Sequence, residues 1–463
     1  MLPETLARTL WATVGGDPHL LRHLQFLHTD AQLPSVFPVG ALAAATIGVQ
    51  ALMAAALWHT RGGGMQDVTV DQRHALAMFR SERYVTVDEK APPDPWDALS
   101  GYYRTLDARW IQLHTNFPHH RDGVLRVLQC DDTREAVEAA ILRWHADDLD
   151  TRLAAAGLCA AMIRSPEEWR VHPQAVAIAS LPLFEIERMR AGSAEPLEAR
   201  LGARPLSGVR VLDLSRVIAA PVAGRTLAAH GADVLAISAS HLPNIPTLVI
   251  DTGRGKRPAQ LDLRSAAGIA RLRELVRDAD VFLHAYRPGA LAALGFSSGQ
   301  LQALRPGLVE VSLCAYSHAG PWAGRRGYDS LVQSATGIAF EEGAAAGLGR
   351  PGKLPCQALD HATGYLAAFC AMVALHRRAR EGGGWCARVS LAQTGAWLQA
   401  MARVPDGLHV PDMMPEQVSQ WRAAMPSAFG NVSGIGPVEQ MTETPPYFAL
   451  PTAPLDAYQA EWL

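Results

Sequence analysis

The chain is poor in the features that mark several large functional classes. Its six cysteines, at 130, 159, 314, 356, 370 and 386, form no CxxC pair and no regular framework. That pattern fits neither a disulfide scaffold nor a zinc site, and it suits free thiols in a reducing compartment. Basic residues are not in excess: the net charge is −3, so no electrostatic footprint points to nucleic acid. The opening MLPETLARTLWATVGG is amphipathic and carries acid, without a basic leader, and a cytoplasmic protein is expected. A Leu/Ile/Phe-rich run is missing as well. The most apolar stretch, VGALAAATIGVQALMAAALW (39–58), is Ala-rich and ends in His59, Arg61 and three glycines. It is expected as a buried helix and not as a membrane span. There is no P-loop, no GxSxG elbow and no GxGxxG after the first strand of the α/β region, so a dinucleotide site is poorly supported.

What is present is a large apolar core. Hydrophobic residues make up 49% of the 463 and charged ones 19%, which fits a soluble protein of two or three domains. From residue 205 strands and helices alternate. VRVLDLS (209–215), ADVLAIS (232–238), DVFLHA (280–285) and GLVEVSLCA (307–315) are short β-rich runs, with helical patterns at 219–230, 265–278 and 290–304. This order predicts an α/β fold: a doubly wound, mainly parallel, Rossmann-like sheet with a smaller α/β domain beside it. The expected division is a helix and strand segment over 1–100, packing on the large domain, and a small α/β domain over 101–195. The Rossmann-like large domain follows over 205–400, and an irregular, Pro-rich wrapping tail over 401–463. AGSAEPLEARLGARP (191–205) reads as the linker before the large domain.

Two segments look like versions of one element. Residues 39–61 and 361–381 are Ala-rich helices that end in Gly62-Gly63-Gly64 and Gly382-Gly383-Gly384. Each is followed by a short alternating strand and another helix. An internal duplication and a chance recurrence both explain this. Aligned on their glycines, the copies set Asp360 opposite Gly40, so only one reactive carboxylate per chain is expected.

Asp360 is the leading candidate for chemistry. It stands where a Gly/Pro-rich segment passes into a long apolar helix, in GRPGKLPCQALDHATGYLAAF. Aspartate is a favoured N-cap. The positive helix N-terminus lowers a carboxylate pKa, and a nucleophilic carboxylate must be ionised. Gly364 is read as leaving room for a ligand or a backbone, and Gly347, Gly349 and Gly352 as letting the entry segment bend. Arg216, Lys256, Arg257, Arg287, Arg325 and Arg326 fall on loops expected at the carboxyl ends of strands, where ligands of such sheets bind. A set of that kind suits several phosphates. Tyr328 is read either as a satisfied core residue or as a pocket wall with a hydroxyl donor. HTNFPHHRD (114–122) has poor metal-ligand spacing and is read as a solvated or a substrate-facing loop. No metal site is expected.

At these residues the chain resembles the class III coenzyme A transferases, the family of formyl-CoA transferase and carnitine CoA-transferase. The matching pieces run in family order over about 190 residues. They are PLSGVRVLDLSRVIAAPVAGRTLAAHGADVLAI, GKRPAQLDLRSAAG, ADVFLHAYRPGALAALGF, LRPGLVEVSLCAYSHAGPWAGRRGYDSLVQSATG and ALDHATGYLAAFCAMVAL. The resemblance implies that Asp360 is the nucleophile. It implies coenzyme A on the strand-end loops, held by Arg216, Val217, Lys256, Arg257, Tyr286, Arg287, Arg326 and Tyr328. It further implies an acyl-CoA donor and a carboxylic acid acceptor as substrates, no tightly bound cofactor, and an interlocked homodimer. Three features depart from the family. The small-domain-like unit precedes the large domain, as in a circular permutation or a fusion of two copies. Ile218 stands where formyl-CoA transferase has glutamine. Tyr328 stands where the related acyl-CoA racemases have histidine, which argues against racemisation. An acyl-CoA isomerase and a catalytically silent CoA-binding protein remain as other readings.

Overall fold

The alternating pattern from residue 205 builds a seven-stranded sheet in a computed structural model that describes residues 2–197 and 204–463. Its strands are β1 (Phe184–Arg190), β2 (Arg210–Leu214), β3 (Asp233–Ser238), β4 (Arg257–Gln260), β5 (Val281–His284), β6 (Val309–Cys314) and β7 (Gly384–Ser390). The order across the sheet is β4-β3-β2-β5-β6-β7-β1. All neighbours are parallel except β1, which runs antiparallel to β7. The expected doubly wound sheet is therefore present. Chain order runs outward from β2 in one direction and from β5 in the other, so the crevice beyond the carboxyl ends of β2 and β5 is the switch point where such sheets bind ligands. β1 lies within the stretch read as small domain, yet it completes the large sheet. The linker at 191–205 falls partly outside the described residues.

Four helices place the site: α1 (Val39–Thr60), α2 (Ala219–Ala229), α3 (Asp329–Thr336) and α4 (Ala358–Glu381). α1 and α4 are long and apolar enough to cross a membrane, and both lie inside the core. An α-helix apolar all round needs partners all round, and α4 packs against α1, α2 and the sheet. Gly364 allows the closest of these approaches. A Cβ there would lie 2.3 Å from the Ala219 carbonyl oxygen. The space read from the sequence is thus filled by the α2 backbone.

The two similar segments share local geometry. α1 starts after Pro38 (φ −78°, ψ 62°) and α4 after Gln357 (φ −78°, ψ 63°), neither with a side-chain cap. Each helix is followed by a strand, Val68–Asp71 and β7, and then by a helix, Gln72–Met78 and Leu391–Ala400.

The small domain is a three-stranded antiparallel sheet, Gly101–Arg104, Trp110–Leu113 and Ala160–Met162, covered by three helices. The tail is more ordered than its composition suggests. Arg422–Ser427 and Gly430–Ile435 form a hairpin that pairs with Thr86–Val87. The last residues run along the β4 edge, where Ala259 bridges Tyr458. An edge strand is covered in this way.

Candidate active site

Asp360 is the third residue of α4 and not its cap, since Gln357 holds that position. Its backbone N–H donates to Asp329 Oδ2 at 2.9 Å. Asp329 opens α3, and its other oxygen accepts from the Gln333 amide. Gln333 Oε1 in turn accepts the Leu354 N–H at 2.9 Å, which ties the segment entering α4 to α3. Asp329 thus fixes the first turn of the helix that carries Asp360. No described residue donates a hydrogen bond to the Asp360 carboxylate, although the residue is only 7% exposed. Its carboxylate is instead open to a cavity, where a ligand can reach it.

The electrostatics reverse the expectation for Asp360. Burial raises its pKa well above the ordinary carboxylate value, and the charges of Asp329 and then Glu82 add to the rise. Burial likewise pushes Asp329 up to about 7. The helix terminus was expected to lower the Asp360 pKa. Removal from water and two nearby acids outweigh it, because like charges at close range disfavour a second ionisation. Glu82 comes from the short helix Ser81–Tyr84 and meets His361 Nε2 at 3.3 Å.

Asp360 opens into a cavity of about 560 Å³. α3, α4 and the β2 turn supply one side, with Tyr328, Asp329, Val217 and Ile218. The other side comes from residues that precede 205, among them Arg83, Trp96, His114 and Asn116. The HTNFPHHRD segment therefore reaches the cavity at its first residues, and its Pro118 starts a helix. A second, narrower cavity of about 80 Å³ adjoins the first through Val217, Ile245 and Leu248. It lies over the ends of β2 and β3, with Ser215, Ile237 and Leu242 in its wall. Val217, at the junction, has φ +75°. That conformation is costly for a β-branched residue, and such outliers collect at functional sites.

The other expected contacts separate into two groups. Arg216 and Arg287 are exposed on the loops after β2 and β5, Tyr286 is half-buried beside Arg287, and Arg326 is half-buried just before Tyr328. Arg216 is in electrostatic reach of Tyr286, and Arg216 and Arg326 of Tyr328 and His119. These cations converge on the switch-point crevice. Arg216 has one hydrogen bond, to the Pro243 carbonyl at 3.1 Å. Lys256 lines the second cavity with Arg216, whereas Arg257 does not, and both are tied to acids. The Lys256 ammonium is buried on Asp213 Oδ2 and the Pro221 carbonyl, each at 2.8 Å. Gly224 makes room for that pair, since a Cβ would lie 2.4 Å from Asp213 Oδ2. Arg257 grips both oxygens of Asp233 and the Glu461 carbonyl. Lys256 thus has a buried acidic partner and Arg257 a half-buried one. Arg325 is also engaged, with Asp150.

The sequence reading left Glu82, Arg83 and Lys353 out of the site, and nothing local in the sequence marks them. Asp329 was visible only as a neighbour of Tyr328.

Comparison with known proteins places this geometry. Residues 206–429 match the family model described as CoA-transferase family III. The chain is 26% identical over 435 residues to an acyl-CoA transferase of Gibberella moniliformis, covering 84% of this chain and 76% of that one. The likeness therefore extends upstream of residue 206. It is 33% identical over 198 residues to a succinate–glutarate CoA-transferase of Agrobacterium fabrum, covering 39% of this chain and 49% of that one. Here the chain spans about half the length of the relative. A crystal structure of a hypothetical protein from Mycobacterium tuberculosis is 32% identical, covers 43% of this chain and 58% of its own, and aligns with a TM-score of 0.39. The α/β segment from 206 to 429, which holds the switch-point crevice and Asp360 on α4, is similar to CoA-transferase family III.

Proposed function

We propose that the protein transfers coenzyme A from an acyl-CoA donor to a carboxylic acid through a thioester on Asp360. One observation carries this reading: a carboxylate that accepts no hydrogen bond from a described residue faces a cavity that adjoins a second one at the strand ends, where Arg216 stands. Arg216, Arg287 and Arg326 would hold the phosphates of coenzyme A at the crevice, with Val217 and Tyr286 along the arm. Guanidinium groups suit that task because their charge-assisted bonds match phosphate oxygens. The thioester would then reach Asp360 past Val217 and Tyr328.

The reaction balances without any further reagent. The Asp360 carboxylate attacks the thioester carbonyl, the C–S bond breaks, and coenzyme A thiolate leaves a mixed anhydride. The thiolate attacks the aspartyl carbonyl, which releases the donor acid and leaves an aspartyl-CoA thioester. The acceptor carboxylate attacks that thioester, and the thiolate finally takes the new acyl group and frees Asp360. Each attack needs an ionised nucleophile and donors for the oxyanion it creates.

The test is chemical trapping. Hydroxylamine added during turnover should convert Asp360 to a hydroxamate, one per chain, detected by peptide mass spectrometry. Asp360→Asn should abolish exchange and leave the fold intact. An unlabelled Asp360 in an enzyme that loses activity to hydroxylamine would refute the covalent route.

A further inference from the structure

Among the residues that face Asp360 across the cavity, His114 is the most constrained. It ends the strand Trp110–Leu113 of the small domain, and its loop is pinned on every side. The His114 N–H donates to the Cys159 carbonyl at 3.0 Å. The Thr115 N–H donates to Ser100 Oγ at 2.9 Å, and the Thr115 hydroxyl donates to Asp97 Oδ1 at 2.8 Å. Asn116 Oδ1 accepts the Asp97 N–H at 3.1 Å and the Ser100 hydroxyl at 2.6 Å. The ring itself stacks on Tyr328, with centroids 4.0 Å apart and planes at 13°. Trp96 meets it edge-on at 5.7 Å.

Its ring meets no other described residue through a hydrogen bond, and only the histidine's own backbone is in reach. The side chain is 5% exposed and lines the cavity. Burial pushes its pKa down to about 4, so at neutral pH the ring carries one N–H donor and one acceptor nitrogen. A polar ring held this firmly, without a partner in another described residue and lining the same cavity as the Asp360 carboxylate, is arranged for something that enters the cavity. The proposed chemistry has a matching demand. It generates an oxyanion at each attack, and the backbone N–H of Asp360 itself is already engaged by Asp329.

We propose that His114 is a further catalytic residue, whose imidazole hydrogen-bonds the oxygen of the acyl group while that group passes between coenzyme A and Asp360. This rests on the CoA-transfer reading. A fixed donor aimed at such an oxygen contributes about 10²–10³ in rate. Its neutrality is an advantage here, since a cation would hold the Asp360 carboxylate as an ion pair and blunt its attack.

The experiment has two arms. His114→Phe keeps the stacked ring and removes both nitrogens. Its exchange rate should fall about 10²–10³-fold, with a much smaller change in the KM for acyl-CoA. The second arm does not depend on turnover. In the wild-type protein and in Asp360→Asn, saturation with an unreactive ketone analogue of acetyl-CoA should move an imidazole ¹⁵N resonance that is absent from His114→Phe. Exchange by His114→Phe at the wild-type rate would overturn the proposal. So would an unmoved imidazole resonance at a saturation shown by Trp96 fluorescence, or failure of the wild type to bind the analogue. Full exchange by Asp360→Asn would instead overturn the covalent reading, and the resonance shift would still decide the role of His114.

Discussion

Asp329 Oδ2 accepts the backbone N–H of Asp360 at 2.9 Å, and both carboxyl groups titrate above their ordinary range. The same contact positions Asp360 and opposes its ionisation. Burial is the larger cause for Asp360, and the Asp329 charge is the next. Asp329→Asn keeps an acceptor for the N–H and removes the charge. The acid limb of the kcat/KM profile should therefore move to lower pH, while staying above the value of a free aspartate because burial persists. An acid limb that stays in place in the variant would show that Asp329 does not control Asp360.

The same pair predicts the pH dependence of stability. A carboxyl whose folded pKa is raised binds its proton more tightly in the native state. Its stabilising contribution is complete below the unfolded value of 3.8 and is lost as pH rises through the folded values, about 7 for Asp329. Wild-type stability should decline between pH 4 and pH 8 from this source. Asp329→Asn should flatten that decline and be the more stable protein at pH 8. Urea midpoints for both proteins at pH 5 and pH 8 give the comparison.

The junction between the N-terminal segment and the large domain is held by a buried charge. Asp251 accepts from Arg225 at 2.9 Å, from Arg254 at 2.6 Å and from the Ser81 hydroxyl at 2.6 Å. Removing the acid leaves two buried guanidinium groups without their counter-charge. Asp251→Ala should cost about 3–5 kcal/mol, and Glu82, one residue beyond Ser81, should shift with the junction. A denaturation midpoint within error of wild type would contradict this. The expected result is a large loss of stability together with a loss of exchange.

Close packing of α4 sets the position of Asp360 from the opposite side. Gly364 lies one turn after Asp360, and an added Cβ would meet the Ala219 carbonyl at 2.3 Å and Val222 Cβ at 2.9 Å. Gly364→Ala must separate α4 from α2, at a cost of about 1–3 kcal/mol. It also moves the nucleophile relative to the β2 turn. Activity should therefore fall further than the loss of stability accounts for, measured as kcat at a temperature where the variant remains folded.

Much of this was legible in the chain itself. The alternation of strands and helices from 205 onward is a local signal repeated many times, so the sheet and the place of its switch point could be read directly. Asp360 could be found because a helix start after a Gly/Pro-rich segment is also local. Its protonation could not be read in that way. The pKa depends on Asp329 and Glu82, which reach it through tertiary packing, and a helix-terminus argument gives the wrong sign. The ion pair of Lys256 was hidden for the same reason: its partner Asp213 sits on β2, distant in sequence. Tyr328 shows the limit most clearly. The lack of a histidine at 328 argued against racemisation, yet folding stacks His114 on that very ring. Burial pushes that histidine down to about 4, which suits a hydrogen-bonding role better than proton abstraction. HTNFPHHRD was visible as an odd cluster, but only the small-domain sheet determines which of its histidines enters the cavity.

The contrast between Arg216 and Lys256 gives the sharpest test of the ligand route. Both were expected on phosphates, and the structure separates them. Arg216 is exposed beside the crevice with a hydrogen bond to a carbonyl, and its charge has no acidic partner among the described residues. Arg216→Ala should leave folding unchanged and raise the KM for acyl-CoA. A charge-assisted bond contributes about 1.5–3 kcal/mol, which corresponds to a roughly 10- to 100-fold change. Arg287→Ala should behave alike, and both effects should shrink as salt rises, because exposed charges are screened. Lys256→Ala should do the reverse. It strands the Asp213 carboxylate in the core next to Gly224, so it should lower stability with little specific effect on KM in the protein that remains folded. If Lys256→Ala raised KM with unchanged stability while Arg216→Ala left KM untouched, Arg216 would not be a phosphate contact, and the phosphates would have to lie deeper in the cavity over β2 and β3, on Lys256.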